Sequence, residues 1–182
     1  MSSSSEFDVV VICSGNRFRS PLAEAILRSR TDGLPVRVRS FGTLDLPSGH
    51  ALSQALELAP GYGLDLMSHR SHALAGNDLS DADLVIGFEQ THVAMAVVGA
   101  KARRDRTFLI TDLVAALDDA GPPQENGVVE RARAAVRQAD AARTTGSAQE
   151  IADPLGGPAS GYRKAADDVY RLTSRIAERL FG

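Results

Sequence analysis

Among its 182 residues the chain has a single cysteine, Cys13. That scarcity excludes an internal disulfide and any cysteine-rich metal site. No apolar run reaches 18 residues, so no membrane-spanning helix is expected. The opening Met-Ser-Ser-Ser-Ser-Glu has neither the basic nor the apolar region of a secretory leader, which gives a cytoplasmic expectation with a frayed tail over residues 1–6. A large excess of either charge is also missing. A net charge of −3 and a pI near 5.8 give no reason to expect nucleic acid or an anionic membrane as a partner. None of the four histidines pairs with another at a convincing ligand spacing, so neither a metal nor a cofactor is expected. His50, His72 and His92 read as surface or capping residues.

Ordinary bulk numbers remain. Hydrophobic residues make up 43% and charged residues 24%, as in a soluble domain long enough to bury a substantial core. Strand candidates are Asp8–Ile12, Val36–Ser40, Leu84–Phe88 and Arg106–Ile110. They are continuously apolar or β-branched rather than alternating, which suits a parallel sheet covered on both faces. Helical patterns fall between them at Leu22–Arg30, His50–Leu58, Gln90–Val98 and from about Thr111. A last helix spans about Tyr162–Phe181. Strand and helix alternate, so the expected fold is one doubly wound α/β domain over residues 7–182, a four-stranded parallel sheet with helices on both faces. Residues 118–150 differ in composition, with Gly-Pro-Pro, an Ala/Arg-rich run and Thr-Thr-Gly-Ser. Val128, Ala132, Ala135, Val136 and Ala139 would line one side of a weakly hydrophobic helix there. This stretch is expected to be an insertion in the domain that forms a surface excursion, with a lid or docking helix as the alternative.

Cys13 has a telling position. Val9-Val-Val-Ile12 run straight into it, and Pro21-Leu-Ala-Glu-Ala-Ile-Leu-Arg28 opens a helix with proline at a permitted early position. Strand, tight polar loop and helix start place backbone N–H groups around an anion site. Thiols in such a field lose their proton readily. Arg19, six residues on, can grip two phosphate oxygens with its planar fork. A thiolate, converging amides and an arginine suggest a nucleophile aimed at phosphorus.

The run Cys13-Ser-Gly-Asn-Arg-Phe-Arg-Ser-Pro21 resembles the phosphate-binding loop of the low-molecular-weight protein tyrosine phosphatases. Further similarities are Ser40-Phe-Gly-Thr43, Gly63-Leu-Asp-Leu-Met-Ser-His-Arg-Ser71, Asp81-Ala-Asp-Leu-Val-Ile86 and Asp153-Pro154. The resemblance implies a metal-independent phosphomonoesterase that works through a phosphocysteine. In it Cys13 is the nucleophile, and Arg19 with the loop amides of Ser14, Gly15, Asn16, Arg17 and Phe18 holds the phosphate. Ser20 supports the thiolate, and Asp153 serves as general acid and then base. Asn16 tolerates the left-handed backbone such a loop demands, and Ser40 and His69 are expected to fix its side chain.

Two departures stand out. The loop position at which the family commonly has a second cysteine is Phe18, so an oxidised Cys13 lacks an internal thiol partner. The usually aliphatic position before it is Arg17, expected to attract negative charge. At the pocket wall the family's aromatic residues give way to Leu46 and Leu155, with Gly156 beside the latter. The implied partner is a phosphorylated protein, phosphotyrosine by default, or a small phosphate ester. Reduction of arsenate with an external thiol and capture of phosphate without turnover stay open as alternatives, as does the oligomeric state.

Overall fold

The computed structural model describes residues 5–143 and 149–182. Four strands form one parallel sheet: β1 (Phe7–Cys13), β2 (Val36–Gly42), β3 (Leu84–Gly87) and β4 (Thr107–Leu109). Their spatial order is β2-β1-β3-β4. Successive β1 side chains enter opposite faces. Phe7, Val9, Val11 and Cys13 join one core, while Val10 and Ile12 join the other. Burial on both sides explains the continuous apolar run.

Helix α1 (Arg19–Arg30) leads back from β1, and α2 (Ser53–Leu58) follows β2. Helix α3 (Gln90–Gly99) covers one face, where Ala96 and Ala100 meet Val10, Ile12 and Val85. Helices α4 (Ile110–Asp119), α5 (Val128–Ala141) and α6 (Ala159–Phe181) pack with α1 on the other. The doubly wound expectation is therefore met. Observed elements start or end within a few residues of the expected ones, the largest shifts being three residues at the starts of α1, α2 and α6.

The expectation of a surface excursion after residue 118 is corrected. Val129, Ala132, Ala135, Val136 and Ala139 of α5 belong to the main core. Small side chains let the helix approach closely, and Arg133 is held by two bonds to the buried Asp83 carboxylate, Nε at 2.8 Å and Nη2 at 3.2 Å. The Thr-Thr-Gly-Ser run lies at residues 144–147, outside the described residues. So does most of the expected tail, although Glu6 is described and its carbonyl accepts a bond from Arg133.

β1 lies at the point where the chain reverses its winding direction. From it the chain passes to β2 on one side, then returns to β3 on the other. The crevice beyond the strand ends at such a reversal is where open α/β sheets bind ligands. The Cys13 loop sits there.

Candidate active site

The loop from Cys13 to Arg19 is shaped from three sides. Asn16 adopts φ 53°, the left-handed conformation that lets a short loop turn its amides inward. From the β2 end, Thr43 N–H donates to Cys13 O at 2.9 Å and Leu44 N–H to Ser14 O at 2.9 Å. Gly42 is needed for that approach, since a Cβ there would stand 2.8 Å from Ser14 O and 2.9 Å from Gly15 C. The third side is the α1 start, where Phe18 turns its ring into the core, edge-on to Tyr162 at 5.3 Å. Phe18 thus contributes backbone to the loop and side chain to the fold.

Cys13 is 2% exposed. Its Sγ accepts Asn16 N–H at 3.2 Å and lies 3.0 Å from Ser20 Oγ. The Asn16 amide donates from Nδ2 to Ser20 Oγ at 2.9 Å and to Ser40 Oγ at 2.7 Å, and its Oδ1 accepts His72 N–H at 2.8 Å. A Cys13 thiolate has no proton to give, so in that state the Ser20 O–H is the donor to sulfur and stabilises its negative charge. Ser40 passes its own proton toward Glu24. Ser40 thus lies against the Asn16 side chain as expected. His69 does not: its Nε2 donates to the Asn16 backbone carbonyl at 2.8 Å, and the His72 amide takes the side-chain oxygen. Burial holds the His69 ring below the ordinary histidine range, which favours this neutral donor form.

Arg19 is 1% exposed and held on every side. Nη1 donates to the Ile151 carbonyl at 2.8 Å and forms an ion pair with Glu89. Nη2 donates to Ser14 Oγ at 3.0 Å and to Asp153 Oδ2 at 2.7 Å. Asp153 Oδ1 in turn accepts Leu155 N–H at 3.1 Å, an Asx-type turn that fixes the carboxylate. Two hydrogen-bonded sets thus meet at the loop, one of Cys13, Asn16 and Ser20 and one of Ser14, Arg19 and Asp153, although 132 or more residues separate Asp153 from the loop.

Glu89 was missed in the sequence, and the reading of His92 as a surface or capping residue is met in its second part only. His92 does cap α3, but it is 1% exposed rather than at the surface. Its Nδ1 accepts the Phe88 and Glu89 amides, and its Nε2 reaches Ser14 Oγ at 3.1 Å. Burial, then the nearby Arg19 charge, lowers it to about 4. The signal was the segment Gly87-Phe-Glu-Gln-Thr-His92, because α3 begins at the same sheet edge as the loop. Gly87 permits the contact; a Cβ there would press on His92 Cβ at 3.0 Å.

Arg17, expected to attract negative charge, has its guanidinium tied to Pro47 O at 2.7 Å, with a longer 3.5 Å bond to Ser71 Oγ; it braces the 44–49 segment and, both acceptors being neutral, keeps its positive charge. At the rim, Leu46 lies over Gly15, with Cδ1 3.8 Å from where a Cβ would stand. Leu44, Leu46 and Leu155 are 52%, 41% and 66% exposed. A cavity of about 690 Å³ is lined by residues that include Glu24, Ser40 and His69 but not Cys13. Among the described residues no cluster of three His, Cys, Asp or Glu could hold a metal, and no helix is long and apolar enough to cross a membrane.

A parallel α/β sheet with a thiol in an anion loop at its reversal point, a pinned arginine and a nearby carboxylate defines a cysteine-dependent phosphatase. Residues 8–121 match the family model for "Low molecular weight phosphotyrosine protein phosphatase", and the chain belongs to that family. It is similar to a protein-arginine-phosphatase of Bacillus subtilis, 27% identical over 175 residues, covering 95% of this chain and 96% of that one. It is also similar to the low molecular weight protein-tyrosine-phosphatase Etp of Escherichia coli, 33% identical over 101 residues, covering 56% and 67%. Among solved structures, the YwlE arginine phosphatase of Geobacillus stearothermophilus superposes with a TM-score of 0.70 at 27% identity, covering 96% of this chain and 92% of that one. A low molecular weight protein tyrosine phosphatase of T. tengcongensis gives the same TM-score at 26% identity, covering 96% and 100%.

Proposed function

We propose that the protein removes phosphate from a phosphorylated protein side chain in the cytoplasm, by a two-step displacement through Cys13. In the first step the Cys13 thiolate attacks phosphorus, an S–P bond forms, the bond to the leaving atom breaks, and Asp153 gives that atom its proton. In the second, water attacks the phosphocysteine, Asp153 takes a proton from it, and the S–P bond breaks to release inorganic phosphate. Arg19 and the loop amides bear the charge that develops on the phosphoryl oxygens. Ser20, aligned by Asn16, makes the thiolate a better leaving group in the second step.

The observation that carries this reading is the shared hold of Asp153 and Ser14 on one nitrogen, Arg19 Nη2. A phosphate dianion that claims this nitrogen displaces Asp153 from it, and the released carboxyl is then free to face the leaving atom. Glu89 and Ile151 O keep Nη1 fixed throughout, so the fork keeps its aim.

Phosphotyrosine is the default substrate. Phosphoarginine is the second reading, favoured by two observations. Similarity to the arginine phosphatase of B. subtilis runs through 95% of the chain, and the exposed Leu44, Leu46 and Leu155 offer an aliphatic rim suited to an alkyl stem. Turnover of para-nitrophenyl phosphate, a phosphotyrosine peptide, a phosphoarginine peptide and a panel of small phosphate esters at pH 5–7 tests both. Wild-type hydrolysis is expected to disappear in Cys13→Ser and to fall about 10²–10⁴-fold in Asp153→Ala. If wild type cleaves none of these substrates, the reading is wrong. If small esters are cleaved and neither peptide is, only the protein-substrate part fails.

A further inference from the structure

We propose that the Ser14 hydroxyl is an additional hydrogen-bond donor to the transferring phosphoryl group, aimed by His92. The inference rests on the phosphatase reading and adds a side-chain donor to the loop amides. It begins with the His92 ring. Nδ1 faces two backbone donors, Phe88 N–H at 3.3 Å and Glu89 N–H at 3.1 Å, so it must accept and the ring proton must sit on Nε2. Nε2–H then donates to Ser14 Oγ at 3.1 Å. Arg19 Nη2 donates to the same oxygen at 3.0 Å.

A hydroxyl oxygen has two lone pairs and one proton. With both lone pairs engaged, Ser14 can only donate with the proton that remains. The direction left to it is set by its neighbours. Arg19 Nη2 bridges Ser14 Oγ and the Asp153 carboxylate, which places the hydroxyl beside the fork and near the acid, where the phosphoryl group would be held. His92 is buried and stays neutral down to about pH 4, so this tautomer persists across the pH range of turnover. Ser14 is then a catalytic residue, and His92 is a positioning residue acting through it. Glycine at position 87 is what lets His92 come close enough.

The test compares Ser14→Thr with Ser14→Val in the full chain. The two are similar in shape and differ by the hydroxyl. A hydrogen bond to a charged group is worth about 1.5–3 kcal/mol, or roughly 10–150-fold. The Thr variant should exceed the Val variant in kcat by at least about tenfold, with KM much less affected, on whichever substrate wild type cleaves. His92→Gln should lower kcat in the wild-type background and in Ser14→Thr, but no further in Ser14→Val. Equal kcat for the Thr and Val variants would overturn the role of Ser14. An equal loss from His92→Gln in all three backgrounds would overturn its action through Ser14. Failure of wild type on every substrate instead sinks the phosphatase reading itself, so the two failures are distinct.

Discussion

The anion loop and the rim around it are built in opposite ways. In the loop, Asn16, Arg19 and Ser20 are at most 1% exposed, and each Asn16 amide atom has a partner. At the rim, Leu44, Leu46 and Leu155 are 41% to 66% exposed, on segments attached through a few backbone and side-chain bonds. The loop is preorganised by the sheet, by α1 and by α3. The rim is bolted on from two distant stretches of chain. Chemistry and selectivity are therefore separable: a rim residue can change without disturbing the nucleophile, whereas the loop tolerates little.

The sharpest challenge to this contrast is Gly42→Ala. The new methyl would press on Ser14 O and Gly15 C, which are backbone atoms that cannot swing away. Overpacking of this kind costs about 1–3 kcal/mol, and a displacement near 1 Å at a reacting group can cost about 10²-fold in rate. Thermal melting and kcat should both fall; an unchanged kcat would show that the loop is not held from the β2 side.

The second effect is one of pH. His92 titrates near 4 in the folded chain and near the ordinary 6.5 when unfolded. The unfolded state therefore binds the extra proton first, so this contribution to stability is intact above pH 6.5 and lost as pH falls toward 4. His69 shifts in the same direction. Urea midpoints should drop between pH 7 and 4.5, and by less in His92→Gln; an equal drop in both would remove His92 from the account.

Smallest of the three is the rim. Leu155→Trp should leave stability within about 0.5 kcal/mol of wild type, as at other exposed positions. If the substrate is aromatic, a stacking contact worth about 0.5–1.5 kcal/mol should lower KM roughly 2–12-fold for a phosphotyrosine peptide, with little change for a phosphoarginine peptide. A large loss of kcat would contradict the separation of rim from loop.

How much was legible follows the same division. The loop is contiguous, so Cys13, Asn16, Arg19 and Ser20 could be placed by spacing and resemblance, and the strands by their continuous apolar runs. Glu89 and His92 reach the loop from the start of α3, seventy or more residues away. Apart from the glycine at position 87, nothing in their local pattern distinguishes an inward-facing cap from an ordinary one. Helix α5 misled for another reason. Its alanines and arginines read as solvated, yet small side chains allow close packing and Asp83 supplies Arg133 with a buried partner. The bracing by Arg17 was hidden because its acceptor, Pro47 O, is a main-chain atom that composition cannot reveal.

The loop is spliced between the central strand β1 and helix α1 with no intervening spacer. The chain cannot unfold while keeping it intact, so an anion bound there must leave before the fold opens and its binding favours the folded state. Occupancy should therefore be readable as heat resistance: inorganic phosphate at a hundred times its dissociation constant would stabilise the protein by about 2.7 kcal/mol. The resting protein would thus be a gauge of its own product, even in a variant stripped of turnover.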